Sequence, residues 1–398
     1  MTKFVNSPLS ATLGLLGFLV AGPSALATWY AADTGKKMIP LASIPVGGSG
    51  VTVFARDTSS LGLYEVWYQG GQWNTSLVYN QPNAWAVAAS ATYVKSPVSP
   101  LLNLYFVAHV DFDGQVRLTS WSFLNGWTTL PNPVDSGTQW PRALATVVFP
   151  GNGNLYIFYA SANGGTNSLK CSIYNGRSIS TQTLDGGGYA PPGFVAGSMH
   201  DPAAVTAPDG LHVYYFDSNH GTLREAYSPD GVIWTRFQSI DGAGAQGQNN
   251  TPVGALPAAI VRNDGMTWMI NVFYSDLSTS DLWTAELLPG GKWWIRLVFY
   301  INPLTAKAPL IHQGGLQVYY ETNMPGQIQV AYTDVYDNCC YILALDGADS
   351  TGIWSDAAYG AVQHQIAPYV TAVEANGTAP SVFYVDSATG TMRNAYWQ

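Results

Sequence analysis

The sequence predicts an all-β chain built as a seven-bladed β-propeller of four-stranded blades, with six blades as the alternative. Three observations lead there. Beyond residue 27 no stretch keeps a 3.6-residue apolar period for three turns. Short alternating runs rich in Val, Tyr, Trp and Thr recur instead, set off by Gly, Asn-Gly and Asp-Gly turns. One such run returns seven times, at a spacing of about 55 residues, which is the size of a four-stranded blade.

Composition narrows the function classes. The chain has 398 residues, 13% aromatic and only 10% charged. Disordered chains are highly charged and poor in aromatics, so disorder is excluded. A net charge of −9 with no Lys/Arg cluster argues against nucleic acid as a partner.

The N-terminus reads as a leader. Lys3 precedes the apolar run Leu13–Val20, and Pro23-Ser-Ala-Leu-Ala27 supplies small residues for cleavage. Residues 1–27 are therefore expected to be a signal peptide and 28–398 one secreted propeller domain. No second long apolar segment follows, so no membrane insertion is expected. The sequons at Asn74, Asn249 and Asn376 suit a secreted glycoprotein. Three cysteines cannot build a disulfide scaffold; Cys339 and Cys340 either close a vicinal bridge or stay thiols.

The recurring strand is Val51–Ala55, Leu104–Ala108, Leu155–Tyr159, Leu211–Tyr215, Ile270–Tyr274, Leu316–Tyr320 and Pro380–Tyr384. Successive steps are 53, 51, 56, 59, 46 and 64 residues. It is read as the second strand of each blade. Small apolar segments before it, such as Ile39–Ser43, Ala86–Ala89, Asp201–Val205 and Ala367–Thr371, suit an innermost strand crowded round the axis. A third strand follows at Leu63–Trp67, Leu223–Tyr227 and Met392–Tyr396, and a fourth carries Trp73, Trp127, Trp234, Trp293 or Trp294. The last unit ends after its third strand. A strand from residues 28–34 is expected to complete it and so close the ring, leaving no lone edge.

The unit Leu211-His-Val-Tyr-Tyr-Phe-Asp-Ser-Asn-His-Gly-Thr-Leu-Arg-Glu-Ala-Tyr227 resembles the fungal fucose-specific lectin family, and Leu63–Trp67 with Gly71-Gln-Trp73 is similar. The resemblance implies sugar sites between neighbouring blades. An Arg on the second strand and a Glu on the third would hold hydroxyls, and an aromatic residue of the next blade would pack on the sugar. The Glu falls on Glu65 and Glu225; the other third-strand positions hold Thr119, Cys171, Thr284, Val330 and Asn394. The Arg position holds Thr52, Tyr105, Tyr156, His212, Asn271, Gln317 and Ser381. No blade carries the arginine, and a hydroxyl or amide does not replace a bidentate guanidinium.

Four candidate carbohydrate sites follow. Carboxylates accept from hydroxyls while an indole packs on the sugar's C–H face. Blade 4 offers His212 and Glu225 with Trp293 or Trp294. Blade 1 offers Thr52 and Glu65 with Trp127. The remaining pairs are Gln317 with Trp29, and Ser381 and Asn394 with Trp73. For each Trp the competing reading is inter-blade core, and for each Glu a salt bridge.

Hydrolysis is the main alternative, since a glycosidase needs two carboxyls about 5–9.5 Å apart. The candidate acids are Asp57, Asp113, Asp201, Glu225, Asp281 and Glu286. A propeller with decayed sugar sites that binds protein is the third reading. Asp111-Phe-Asp-Gly114 lacks the later ligands of a calcium loop and reads as a hairpin turn. Ser228–Trp234 faintly resembles the Asp-box turn of sialidases, one residue short and in a single copy, and that box is a folding element, not a catalytic one. No catalytic residue, metal or cofactor is expected. The expected partners are glycans or glycoproteins, fucosylated ones included, and a homodimer stays open.

Overall fold

The computed structural model describes residues 29–46, 50–79, 88–94, 103–111, 113–135, 144–163, 166–189, 202–217, 221–242, 257–263, 268–275, 281–288, 291–298, 311–320, 328–334, 340–346, 355–362, 366–373, 381–386 and 388–397. The described chain is all strand and turn, arranged as seven four-stranded antiparallel sheets. Blade 1 runs Met38–Val46, Gly50–Asp57, Leu63–Gln69 and Gln72–Tyr79. Blade 2 is Ala89–Val94, Leu104–Val110, Val116–Ser122 and Gly126–Thr129. Blade 3 is Leu144–Val148, Leu155–Asn163, Thr166–Tyr174 and Ile179–Tyr189. Blade 4 is Ala203–Ala207, Gly210–Asp217, Thr222–Ser228 and Arg236–Gly242. Blade 5 is Ala258–Asn263, Trp268–Ser275, Leu282–Leu288 and Lys292–Leu297. Blade 6 is Ile311–Tyr320, Ile328–Asp334, Cys340–Asp346 and Ser355–Val362. Blade 7 is Ile366–Val373, Ser381–Asp386 and Met392–Trp397, completed by Trp29–Asp33.

The first strand of each blade touches the first strand of the next, and that of blade 7 touches that of blade 1, so the ring closes. Closure is made by the two ends of the chain. Trp29–Asp33 pairs antiparallel with 393–397, Trp29 opposite Trp397 and Asp33 opposite Arg393. Thr34 Oγ1 donates to the Met392 carbonyl at 2.7 Å, and the Met392 amide donates to the Lys36 carbonyl at 2.8 Å.

Along each second strand, side chains alternate between the two neighbouring blades. In blade 4, Leu211, Val213 and Tyr215 pack on blade 3, while Tyr214 and Phe216 pack on blade 5. Both faces are buried, which is why these runs read as nearly continuous apolar sequence. Buried tyrosine hydroxyls need acceptors, and aspartates of the preceding blade provide them. Asp135, just after the last strand of blade 2, accepts from Tyr159 and Lys170 of blade 3. Asp185 accepts from Tyr215 (2.5 Å) and Arg224 (2.7 Å) of blade 4, and Asp241 from Tyr274 of blade 5.

Two sequence readings are corrected. Leu316–Tyr320 lies in the innermost strand of blade 6; the second strand is Ile328–Asp334, so Gln317 and Val330 each belong one strand further in than expected. With Ile328-Gln-Val-Ala-Tyr332 as the recurring run, the uneven steps become 58 and 52 residues. In blade 2 the run is displaced by one residue: Val107 packs on blade 1, and Phe106 and Ala108 on blade 3. A one-residue slip exchanges the two faces of a strand. Tyr105 and Thr119 therefore face blade 1, not blade 3. The innermost strand there is Ala89–Val94, following the Ala86–Ala89 segment.

The expected turns form. The Gly114 amide donates to the Asp111 carbonyl, and Asp111 is held by the Gln115 amide and Arg117, so this loop is a hairpin. Asp230 accepts from the amides of Val232 and Ile233, both at 2.8 Å, which hold its carboxyl below the ordinary range. At Gly231 (φ 75°) an added Cβ would lie 2.3 Å from the Tyr156 hydroxyl, so only glycine fits. Residues 1–27, Asp201, Asn249, Asn376 and Cys339 lie outside the described residues; Cys340 begins the third strand of blade 6.

Candidate functional site

Four inter-blade seams share one joint. An aromatic ring on the second strand of one blade meets, edge to face, a Trp at the fourth strand of the next. The pairs are Phe54–Trp127, Phe158–Trp234, Tyr214–Trp293 and Phe383–Trp73, with centroids 5.7, 5.8, 5.8 and 5.9 Å apart. This is the favoured geometry for aromatic quadrupoles, so the core role of these Trp residues is real. Opposite each ring, on the third strand, stands the residue that could meet a ligand: Glu65, Cys171, Glu225 and Asn394.

The seam between blades 1 and 2 is the best equipped. Glu65 is half-buried, and Trp127 Nε1 donates to its Oε2 at 3.2 Å. Burial pushes its carboxyl above the ordinary value of 4.5, with the Trp127 bond pulling only partly the other way. Thr52 lies nearby on the second strand, paired with Trp67. Facing them, blade 2 carries Tyr93, Tyr105, Trp121 and Trp127 directly opposite one another across all four strands. Tyr93 and Tyr105 stack at 5.2 Å, and Trp121 meets Tyr105 at 5.1 Å. All four rings are half-exposed, and the buried Tyr93 hydroxyl has no partner among the described residues. Burial raises the Tyr105 hydroxyl to about 12, and the nearby Glu65 charge adds to the rise. An aromatic row beside a carboxylate with free lone pairs can pack a C–H face and accept from hydroxyls.

The seam between blades 4 and 5 has the same joint and a closed interior. Glu225 is fully buried. It is bonded by His212 Nδ1 (2.8 Å), Arg236 Nε (2.9 Å), Arg236 Nη2 (3.0 Å) and Gln238 Nε2 (2.6 Å). Burial raises its carboxyl, and the His212 and Arg236 hydrogen bonds overcome this, so the net shift is downward. His212 is itself held between Glu225 and Asp209, and Arg236 lies 4.4 Å over the Tyr227 ring. The sequence-expected pair of His212 and Glu225 thus forms, as an internal network. Trp293 meets Tyr214 at this seam, and its Nε1 has no partner among the described residues. Trp294 does not: it points to the other face of blade 5, where Arg296 stacks on it at 4.0 Å.

On that other face, toward blade 6, Asn271, Thr284 and Glu286 are buried. Asn271 Nδ2 and Oδ1, Thr284 Oγ1 and Glu286 Oε1 have no partner among the described residues, while Glu286 Oε2 takes Arg296. Sequence reasoning placed no site here; the polar pair at the two family positions was the available signal. At the seam between blades 7 and 1 Trp73 meets Phe383; Asn394 stands opposite Phe383 on the third strand, Ser381 lies two residues before Phe383, and Asn394 Oδ1 has no partner among the described residues. Gln317 lies on an innermost strand and Trp29 on the closing strand; their side chains lie outside the described residues. The reading also missed Tyr93, Tyr105 and Trp121, because only register shows that they form a row.

The candidate acids for hydrolysis are mostly engaged. Asp57 accepts from Ser59 and Ser60 in its turn, Glu225 is saturated and Glu286 is paired with Arg296. No group of three or more His, Cys, Asp or Glu suited to a metal is present among the described residues.

No protein-family model matches the chain, and no curated protein matches it. Solved structures do. The BP39L lectin from Burkholderia pseudomallei superposes with TM-score 0.68 at 18% identity, covering 93% of this chain and 95% of that one. A variant of the Aleuria aurantia lectin, in complex with alpha-methyl-L-fucoside, gives TM-score 0.50 at 17% identity over 81% of this chain and 97% of its own. An alpha-L-arabinanase from Penicillium chrysogenum gives 0.50 at 12% over 77% and 92%. The resemblance to fucose-specific lectins read from the repeats holds as a likeness of fold, shared with an enzyme.

Proposed function

We propose that the chain is a secreted, non-catalytic carbohydrate-binding lectin, with its best-built site in the groove between blades 1 and 2. One observation carries this: Glu65 presents a carboxylate with spare acceptor capacity beside the row Tyr93, Tyr105, Trp121 and Trp127. The fucoside bound by the Aleuria lectin makes fucosylated glycans the first ligands to try. Glu65 would accept from two sugar hydroxyls, Thr52 would lie at the groove's inner edge, and Tyr105 and Trp121 would pack on the apolar face. The grooves at Asn271 and Thr284 and at Ser381 and Asn394 would be weaker sites that add avidity on a glycan-coated surface. The leader ending at Ala27 would direct the chain outside the cell.

A glycan array tests this. The mature chain is expected to bind at least one glycan, and Glu65→Gln to weaken that binding about tenfold or more, the worth of one charge-assisted hydrogen bond. An array hit that Glu65→Gln leaves unchanged removes Glu65 from the site. A blank array with cleavage of a chromogenic glycoside favours the hydrolase.

A further inference from the structure

Of the three sequons, Asn74-Thr75-Ser76 lies among the described residues. It sits on the fourth strand of blade 1, Gln72–Tyr79, the outermost of its sheet. Register fixes the face that each residue takes, because directly opposite residues share a face and successive residues alternate. Phe54, Glu65 and Ser76 form one row across the blade, and Thr52, Trp67 and Asn74 form the next. Phe54 meets Trp127 of blade 2, whereas Trp73 meets Phe383 of blade 7. Asn74 therefore stands on the face that looks into the groove between blades 1 and 2, and its neighbours Trp73 and Thr75 on the other. Half-exposed Trp67 is directly opposite it. Glu65 is diagonal to it on the same strand as Trp67, about 7–8 Å away. The fourth strand of blade 1 touches the fourth strand of blade 2, which carries Trp127, so Asn74 stands at the outer mouth of the groove.

We propose that Asn74 is N-glycosylated and that its glycan lies in this groove, so that the glycosylated chain covers its own binding site. This rests on the groove being a sugar site and on secretion, both proposed above. In the transfer, Asn74 Nδ2 bonds to the anomeric carbon of an oligosaccharide carried on a lipid diphosphate. The bond from that carbon to the phosphate oxygen breaks, the lipid diphosphate leaves, and the proton given up by Nδ2 passes to solvent. The folded strand has room for the product. Asn74 is half-buried, and its Nδ2 donates to the hairpin carbonyls of Gln69 (3.3 Å) and Gln72 (3.1 Å), both exposed bonds. The linkage replaces one of its two hydrogens, and the other keeps one of these bonds. The first sugars then start beside Trp67 and reach toward Glu65. Occupant and surface match in chemistry: C–H faces for the half-exposed rings of Tyr105, Trp121 and Trp127, and hydroxyls for the Glu65 carboxylate. A glycan tethered at the mouth has an effective concentration on the order of millimolar, enough to outcompete free glycans present at lower concentration.

The test compares the chain secreted from a glycosylating host with the same chain made in a host that lacks N-glycosylation. Peptide mass is expected to show a glycan on Asn74, lost in Ser76→Ala and kept in Ser76→Thr. Hydroxyl-radical labelling is expected to oxidise Trp121 and Trp127 several-fold less in the glycosylated chain, and Ser76→Ala from the same host is expected to label like the bare chain. The glycan selected on the array is expected to bind the glycosylated chain about tenfold more weakly, with Ser76→Ala restoring the affinity. Without N-glycosylation, Ser76→Ala and the parent chain are expected to bind alike, which assigns the loss to the glycan; the Glu65 substitutions are read on that bare chain. An unmodified Asn74 in the secreted chain overturns the proposal and leaves the lectin reading standing. An occupied Asn74 with both Trp residues labelled as in the bare chain overturns it too. Protection of both Trp residues by the glycan, with a blank array for the bare chain, supports the covered groove and removes the lectin reading instead.

Discussion

Glu65 and Glu225 occupy the same place in their blades, opposite Phe54 and Tyr214, each with a Trp of the next blade across the seam. Their fates differ because of the fourth strand. Glu225 stands opposite Gln238, and its neighbour Tyr227 opposite Arg236; both fourth-strand side chains bond the carboxylate. Glu65 stands opposite Ser76, and Trp67 opposite Asn74. Asn74 turns back to the carbonyls of Gln69 and Gln72 and leaves Glu65 to Trp127. A glutamate at this third-strand position is thus left open to a ligand or tied up as a buried strut, according to two residues on the next strand.

The largest effect should come from breaking the strut. Arg236→Ala leaves a buried carboxylate short of its main counter-charge and is expected to cost about 3 kcal/mol, read from chemical denaturation. Glu65→Gln should cost under about 1 kcal/mol in the same assay, because no buried pair is broken. Equal losses would mean that the two glutamates are not differently employed.

Next comes converting one seam into the other. Asn74→Arg with Ser76→Gln gives blade 1 the fourth-strand pair of blade 4. Glu65 should then be bonded internally, and the affinity for the glycan hit should fall about tenfold, with no loss of thermal stability. Unchanged affinity would separate Glu65 from binding.

The smallest effects are in pH dependence, and their signs are opposite. The lowered carboxyl of Glu225 contributes stability that is complete above its ordinary 4.5 and is lost as pH falls through the lowered value. Arg236→Ala should therefore move acid unfolding to higher pH. The raised carboxyl of Glu65 contributes stability below 4.5 that is lost as pH rises through the raised value. Sugar binding should follow its ionised form, weakening on acidification at a pH above 4.5. Binding that weakens only below 4.5 would assign the effect to another carboxyl.

Much of the fold was legible in the sequence because a strand buried on both faces leaves a run such as Leu-His-Val-Tyr-Tyr at 211–215 that recurs blade after blade. Ring closure was legible because the seventh unit has only three consecutive strands, leaving an edge that Trp29–Asp33 pairs with. Blade 6 was misread for a physical reason. Leu316–Tyr320, on the innermost strand, has the same alternation as Ile328–Tyr332, on the second, and alternation does not record depth in a blade. Blade 2 was misread because Leu104–Ala108 is apolar or aromatic at every position, which hides the face each residue takes. The site was half legible. Third-strand glutamates mark themselves, whereas the row from Tyr93 to Trp127 exists only in register, and Arg236 acts from a strand on which the family pattern places no arginine.

The most direct test is a crystal structure of the mature chain with the glycan selected on the array. The account predicts sugar density between blades 1 and 2, its hydroxyls on Glu65 and its C–H face on Tyr105 or Trp121, with Glu225 still bonded to Arg236. Sugar bound at Glu225 with Arg236 displaced, or in the central channel with the first groove empty, would contradict it.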